Sequence, residues 1–216
     1  MSTKTKRRTT RRKKTKAKSS LRYAVGFAVL CAALVALCFA LHRTYDVYVR
    51  AMFELEHYDT VMDACEDFDI SPSLVYGIIR TESGFDEKAH SHADAQGLMQ
   101  MTETALEWCQ MRNDEFDRYT VSDLYDPKVN IRCGVYTLHL LFEQFDSEQA
   151  VIAAYNAGIG NVQEWLADPS YSDDGVTLHT IPFEETRNYV DRVQSSKGIY
   201  EQYYHLDDKM KGDETA

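Results

Sequence analysis

Nineteen consecutive residues, Tyr23 to Leu41 (YAVGFAVLCAALVALCFAL), contain no charged side chain. As an α-helix this run is about 28 Å long, close to the hydrocarbon thickness of a bilayer. A soluble core helix of that length keeps a polar face, and this one has none. The run therefore predicts a membrane span and sorts the rest of the chain into two sides. Residues 1–22 hold 11 Lys or Arg and no Asp or Glu, while only Arg43 closely follows the span. That asymmetry predicts a cytoplasmic N-terminus and an outward-facing remainder. A cleaved signal sequence also starts basic, but its apolar stretch is usually shorter and ends in a small-x-small site, which is missing here. Leu precedes both Cys31 and Cys38, where a lipoprotein cleavage site wants a small residue. An uncleaved anchor is the expectation.

Charge separates the same two sides. All 34 acidic residues lie at or beyond Asp46, against 12 basic ones there, so residues 46–216 carry −22. Such a segment repels polyanions, which excludes nucleic acid as a partner by bulk electrostatics. The basic tail fits a topology signal that is also drawn to anionic lipid, making the membrane the expected partner of residues 1–41. Among outward residues the cysteines are Cys65, Cys109 and Cys133. No CxxC pair occurs, so no zinc site is indicated; one bridge with a free thiol and three free thiols both remain open. His90 and His92 lack a third ligand in register and read as solvated. Neither a metal nor another cofactor is expected.

Beyond the span the periodicity is helical and no strand alternation of useful length appears, so the outer part reads as mainly α. A stalk over 42–57 leads to a first domain helix near Tyr58–Phe68. Ser71 as N-cap and Pro72 at the first helical position start a helix that Gly84 stops. A loop follows, then a helix over Glu103–Arg112. A longer helix begins near Asp126–Pro127, with Ile131, Val135, Leu138, Phe142 and Phe145 on one stripe. Ser147 and Gly158 bracket another helix, NVQEWLAD makes a short one, and a polar loop precedes a last helix with Tyr189, Val193, Ile199 and Tyr203 inward. The expected organisation is a basic tail (1–22), a span (23–41), a stalk (42–57), a globular domain (58–204) and a polar tail (205–216).

The second of these domain helices poses a chemical question. In LVYGIIRTESGF, Val75, Ile78 and Ile79 form a core-facing stripe, and Glu82 occupies its next place. Partial burial and the negative end of the helix dipole both raise a carboxyl pKa, which suits a general acid near neutral pH. Arg80 and Asp86 lie off this face. A stripe-edge glutamate reaching to water has the same periodicity, so spacing alone leaves both readings open.

Three stretches in order, ESGFDEKAHSHADAQGLMQMT, AYNAGIGNV and IPFEETRNYV, resemble the catalytic domain of family 1 lytic transglycosylases, the soluble-lytic-transglycosylase-like fold related to goose-type lysozyme. The resemblance covers roughly residues 58–200. It implies Glu82 as the single catalytic acid/base and Ser91 as an orienting residue beside it. It implies Met99 and Gln100 of GLMQ, Tyr155, Asn156 and Ala157 of AYNAG, and Glu185 and Tyr189 of the last motif as substrate-binding residues. The family usually has Gly where Asp94 stands, and Pro where Glu103 stands. The implied substrate is the peptidoglycan glycan strand, cleaved between N-acetylmuramic acid and N-acetylglucosamine to leave a 1,6-anhydro end. Two alternatives stay open at this point: a hydrolytic muramidase, with Asp86, Asp94 or Glu185 as second carboxylate, and a non-catalytic peptidoglycan-binding component of a cell-wall, secretion or conjugation machine. Trp108 and Trp165 read as packing residues.

Overall fold

A computed structural model describes residues 4–210 and 212, with side chains from residue 22 onward. The chain divides into two compact units, residues 1–54 and 55–216. Most side chains assigned to the basic tail, and residues 211 and 213–216 of the polar tail, lie outside what is described.

The first unit is one helix, α1 (Lys4–Met52). Its segment Arg22–Met52 reaches a mean hydropathy of 2.7 over 18 residues, and none of that window is buried by protein. Phe27, Val35 and Phe39 are each about two-thirds exposed or more. Apolar side chains exposed all round a helix need an apolar solvent. Of the residues read as a stalk, 42–57, those as far as Met52 continue the same helix as the apolar run, after which residues 53–57 leave it.

The second unit comprises α2 (Tyr58–Phe68), α3 (Pro72–Glu82), α4 (Glu103–Gln110), α5 (Pro127–Phe142), α6 (Glu148–Ala157), α7 (Ile159–Ala167), α8 (Glu184–Tyr204) and α9 (Leu206–Met210), with short 3-10 turns at Asp114–Phe116 and Val121–Tyr125. No strand occurs among the described residues; two isolated bridges, His90 with Gln96 and Gln96 with Met101, pin the loop after α3. Local signals explain most boundaries. Ser71 Oγ accepts from Leu74 N at 3.2 Å and starts α3 with Pro72 behind it. Asp126 caps α5 in the same way, through Lys128 N at 2.8 Å. Glu103 is the first residue of α4, capped by Thr102. Proline and acidic residues are both at home at that position, so Glu in place of the family's Pro leaves the helix start intact.

The core forms around α5, whose Ile131, Val135 and Leu138 are fully buried. It is flanked by α2, α4 and α6, while α3 packs along α8. Phe68, Phe116 and Tyr136 close one end, with Tyr136 4.9 Å from Phe68 and 5.0 Å from Phe116, ring centre to ring centre.

Three details differ from the periodic reading. Phe145 is buried but lies beyond the end of α5, where the chain has already turned. On α8 the buried place belongs to Tyr200, its ring tilted against that of Tyr76 at 4.9 Å between centres, while Ile199 and Tyr203 are half-buried. Residues 206–210 fold as α9: Leu206 is fully buried, and Asp207 accepts from Ser71 Oγ at 2.8 Å and Ser73 N at 3.1 Å. This last helix therefore ties down the N-terminus of α3. Cys65, Cys109 and Cys133 are all free thiols with no exposed surface.

Candidate active site

Glu82 is the last residue of α3, and what surrounds it comes from four segments. Val75, Ile78 and Ile79 are fully buried below it, so Glu82 sits where the stripe comes out of the core, half-buried. The amides of Ser83 and Gly84 both bond Ile79 O, which ends the helix at once. Ser83 Oγ donates to Leu98 O at 2.7 Å and fastens the helix end to the loop that follows.

Tyr189 of α8 supplies the direct contact. Its phenol is 2 % exposed and donates to Glu82 Oε1 at 2.7 Å. Burial pushes the Glu82 carboxyl up to about 7, against the opposing pull of that hydrogen bond and of the Arg192 charge. Desolvation wins because the carboxylate loses water and gains only one donor. Tyr155 of α6 stands close enough that the charge of Glu82, added to burial, holds its phenol well above the usual tyrosine range.

The loop between α3 and α4 is held from beneath by Asn130 of α5. Asn130 is fully buried and uses its whole amide: Oδ1 accepts from Met99 N, and Nδ2 donates to Gln96 O and to Leu124 O, each at 2.7 Å. Gly97 makes this possible. It sits at φ +73°, and a Cβ there would lie 2.4 Å from Asn130 Nδ2 and 2.5 Å from Leu124 O. Tyr155 Oη then donates to Met99 O at 2.8 Å, joining α6 to the same loop. Asp94, where the family usually has Gly, has φ +58°. Glycine takes that conformation freely, and aspartate is among the few other residues that visit it.

The other residues singled out from the sequence separate into two groups. Gln100 and Tyr155 line a groove of about 430 Å³ whose remaining wall includes Thr104, Trp108, Met111 and Ile159. Trp108, read as packing, is therefore a groove residue, whereas Trp165 does pack, edge-on to Phe183 at 4.9 Å. Gln100 Nε2 is itself engaged, with Gly97 O at 3.0 Å and Ala89 O at 3.3 Å. Ser91 Oγ accepts from Ala93 N and Ala95 N, so it shapes the loop; no bond joins it to Glu82 among the described residues. Met99 has its side chain fully buried against Gly134, and its backbone takes the bonds from Asn130 and Tyr155. Asn156 is exposed and Ala157 half-buried at the end of α6. Glu185 is exposed on α8, one helical turn before Tyr189, and does not touch Glu82.

Sequence reading passed over Ser83, Asn130 and Arg192. A polar residue one place from Ile131 on a buried stripe was the available signal for Asn130. As for metals, Glu201, His205 and Asp208 bring ligand atoms within 4.8 Å of one another. Glu201 already accepts from Ser73 Oγ at 2.9 Å, which makes this cluster part of the contact between α3 and the α8–α9 junction. Glu82 does not itself line the groove, but Tyr155 does and feels its charge; with a raised pKa and a fixed donor, Glu82 is suited to deliver and recover a proton near neutral pH.

Comparison with known proteins bears on the family of the chain. The soluble lytic murein transglycosylase of Salmonella typhimurium is 32% identical over 169 residues, which cover 77% of this chain and 26% of that protein. Membrane-bound lytic murein transglycosylase C of Edwardsiella ictaluri is 29% identical, covering 67% of this chain and 46% of that one. Among solved structures, the lytic transglycosylase Slt of Pseudomonas aeruginosa, an inactive mutant, superposes with a TM-score of 0.64 at 34% identity, over 75% of this chain and 26% of that one. The chain thus spans about a quarter of the length of the soluble relatives it matches. Its fold is mainly α and lysozyme-like. Residues 59–175 match the family profile described as the transglycosylase SLT domain, and the chain belongs to that family.

Proposed function

We propose that the chain is a membrane-anchored peptidoglycan lytic transglycosylase in which Glu82 is the one acid/base. The observation that carries this reading is a carboxyl held near pKa 7 with a tyrosine hydroxyl on it and no second carboxylate acting on it among the described residues. Hydrolysis by paired carboxylates needs the second group within about 10 Å across the scissile bond. Asp86 bonds Lys88 N and Asp94 lies beside His90, and neither of these nor the exposed Glu185 is among the groups that shift the Glu82 carboxyl.

With one carboxyl the reaction closes on itself. Protonated Glu82 gives its proton to the glycosidic oxygen between N-acetylmuramic acid and N-acetylglucosamine, and the C1–O bond breaks. The carboxylate so formed takes the proton of the muramoyl C6 hydroxyl as that oxygen bonds to C1. Glu82 ends protonated, water is not consumed, and the product carries a 1,6-anhydro ring. Tyr189 keeps Oε1 in place through both transfers. Gln100, Tyr155, Asn156, Ala157 and Glu185 border the path of the glycan, with Ser91 shaping the loop above it.

Residues 23–41 span the cytoplasmic membrane once in this reading, residues 1–22 stay in the cytoplasm against anionic lipid, and residues 42–57 lead to a catalytic domain outside, where peptidoglycan is. The charge asymmetry about the span and the membrane-bound relatives support that arrangement. Mass spectrometry of peptidoglycan incubated with the full-length chain in detergent tests the chemistry. Anhydro-muramoyl ends, about 18 mass units below hydrolytic ends, are expected and should vanish in Glu82→Gln. Reducing ends would mean a hydrolase instead.

A further inference from the structure

Along α8, Glu185, Tyr189 and Arg192 occupy places i, i+4 and i+7, one face of the helix. The middle member holds Glu82, and the outer two are exposed, so the row runs past the catalytic carboxyl with opposite charges at its ends, roughly 10 Å apart along the axis. The other cations of α8 are occupied: Lys197 pairs with Glu148 at 2.6 Å, and Arg187 donates to Ile181 O at 2.8 Å. Among the described residues no carboxylate pairs with Arg192. Its charge nonetheless reaches Glu82.

An unpaired guanidinium beside a catalytic acid works against that acid, because a cation disfavours the protonated carboxyl. It also stands out in a segment of charge −22, whose field repels carboxylate-bearing ligands. Both features make sense if the partner of Arg192 arrives with the substrate. We propose that Arg192 is a specificity-determining residue that pairs with a carboxylate on the glycan strand, borne by the peptide stem or by the bare lactyl group of a stem-free muramoyl unit. Arginine suits this task through its fork of donors. Pairing also neutralises the guanidinium, which leaves Glu82 easier to protonate once substrate is in place. The proposal rests on the glycan-cleaving reading above and deepens it.

The test uses the full-length chain in detergent micelles and labelled glycan strands in three forms: stem-bearing, stripped of stems by an amidase, and with every carboxylate converted to a methylamide. Binding is measured in the Glu82→Gln background, where turnover does not intervene. Adding Arg192→Gln is expected to weaken binding of carboxylate-bearing strands roughly three- to tenfold and leave the methylamide form unchanged, with Arg192→Lys restoring the charge but only part of the loss. Loss confined to the stem-bearing form assigns the stem, and loss confined to the stripped form assigns the lactyl group. Equal loss on all three forms, or none on any, overturns the proposal.

A pH profile supplies a second readout. The charged and titratable groups that reach Glu82 are Tyr189 and Arg192 of α8 and Tyr155 of α6. Removing the cation raises the Glu82 pKa in the free enzyme, so the upper limb of kcat/KM for Arg192→Gln should move to higher pH. A limb that stays or moves down counts against the pairing. If wild-type protein yields no anhydro ends while binding still follows the carboxylate, the reaction is wrong and the contact stands.

Discussion

Glu82 is costly to the fold that holds it. Its carboxyl titrates near 7 in the folded chain and near 4.5 when free. Between those values the unfolded chain has lost the proton and the folded chain keeps it, so stability falls as pH rises through this window and is unaffected well below it. After allowing for the partial exposure of the side chain, the cost above pH 7 is on the order of 2 kcal/mol. Glu82→Gln, inactive by the mechanism above, should therefore melt at a higher temperature than wild type at pH 8 and at the same temperature near pH 4. Calorimetry at the two pH values checks this, and a mutant equally or less stable at pH 8 contradicts it. The place of Glu82 at the top of an apolar stripe was legible from spacing alone. That Tyr189 points at it was not: periodicity says α8 turns Tyr189 inward, and only the packing of α8 on α3 says against what.

At the scale of elements, the loop between α3 and α4 is a suspended platform with Asn130 as its post. Asn130→Ala removes three bonds at 2.7 Å and strips Met99 N and the Leu124 carbonyl of their Asn130 partner, while Gln96 O keeps Met101 N at 3.0 Å. About 3 kcal/mol of stability should be lost in a thermal or denaturant melt, with kcat/KM falling because Gln100 and Tyr155 hang on the same loop. Gly97→Ala pushes a Cβ into the same amide. The double mutant should then lose clearly less than the sum of the two, which a double-mutant cycle would show. Helix starts carry their signals locally, which is why Ser71 with Pro72 and Asp126 with Pro127 were readable from the sequence. Asn130, Tyr200 and Leu206 were not, because each owes its role to a partner far along the chain: residue 99, residue 76 and the α3 start. A polar composition after residue 204 hid a helix whose one buried leucine matters more than its charges.

For the whole molecule, the proposed topology can be read with thiol chemistry. The domain cysteines have no exposed surface, and Cys31 and Cys38 lie within the apolar run, so an impermeant maleimide should leave the native chain unlabelled in intact cells. Asp173→Cys, on an exposed loop, should label from outside; Thr10→Cys should label only after the membrane is opened. The reverse pattern would invert the topology. The silence of those thiols has another consequence. Burial pushes the Cys109 thiol up to about 11 and raises Cys65 and Cys133 further, so none reacts while the domain is closed. Any labelling of them must pass through an opened form, and its rate relative to a free thiol gives the free energy of opening. Cys65 lies on α2, Cys109 on α4 and Cys133 on α5, so the chain carries three native gauges of its own local unfolding, readable by a thiol reagent without introducing a single cysteine.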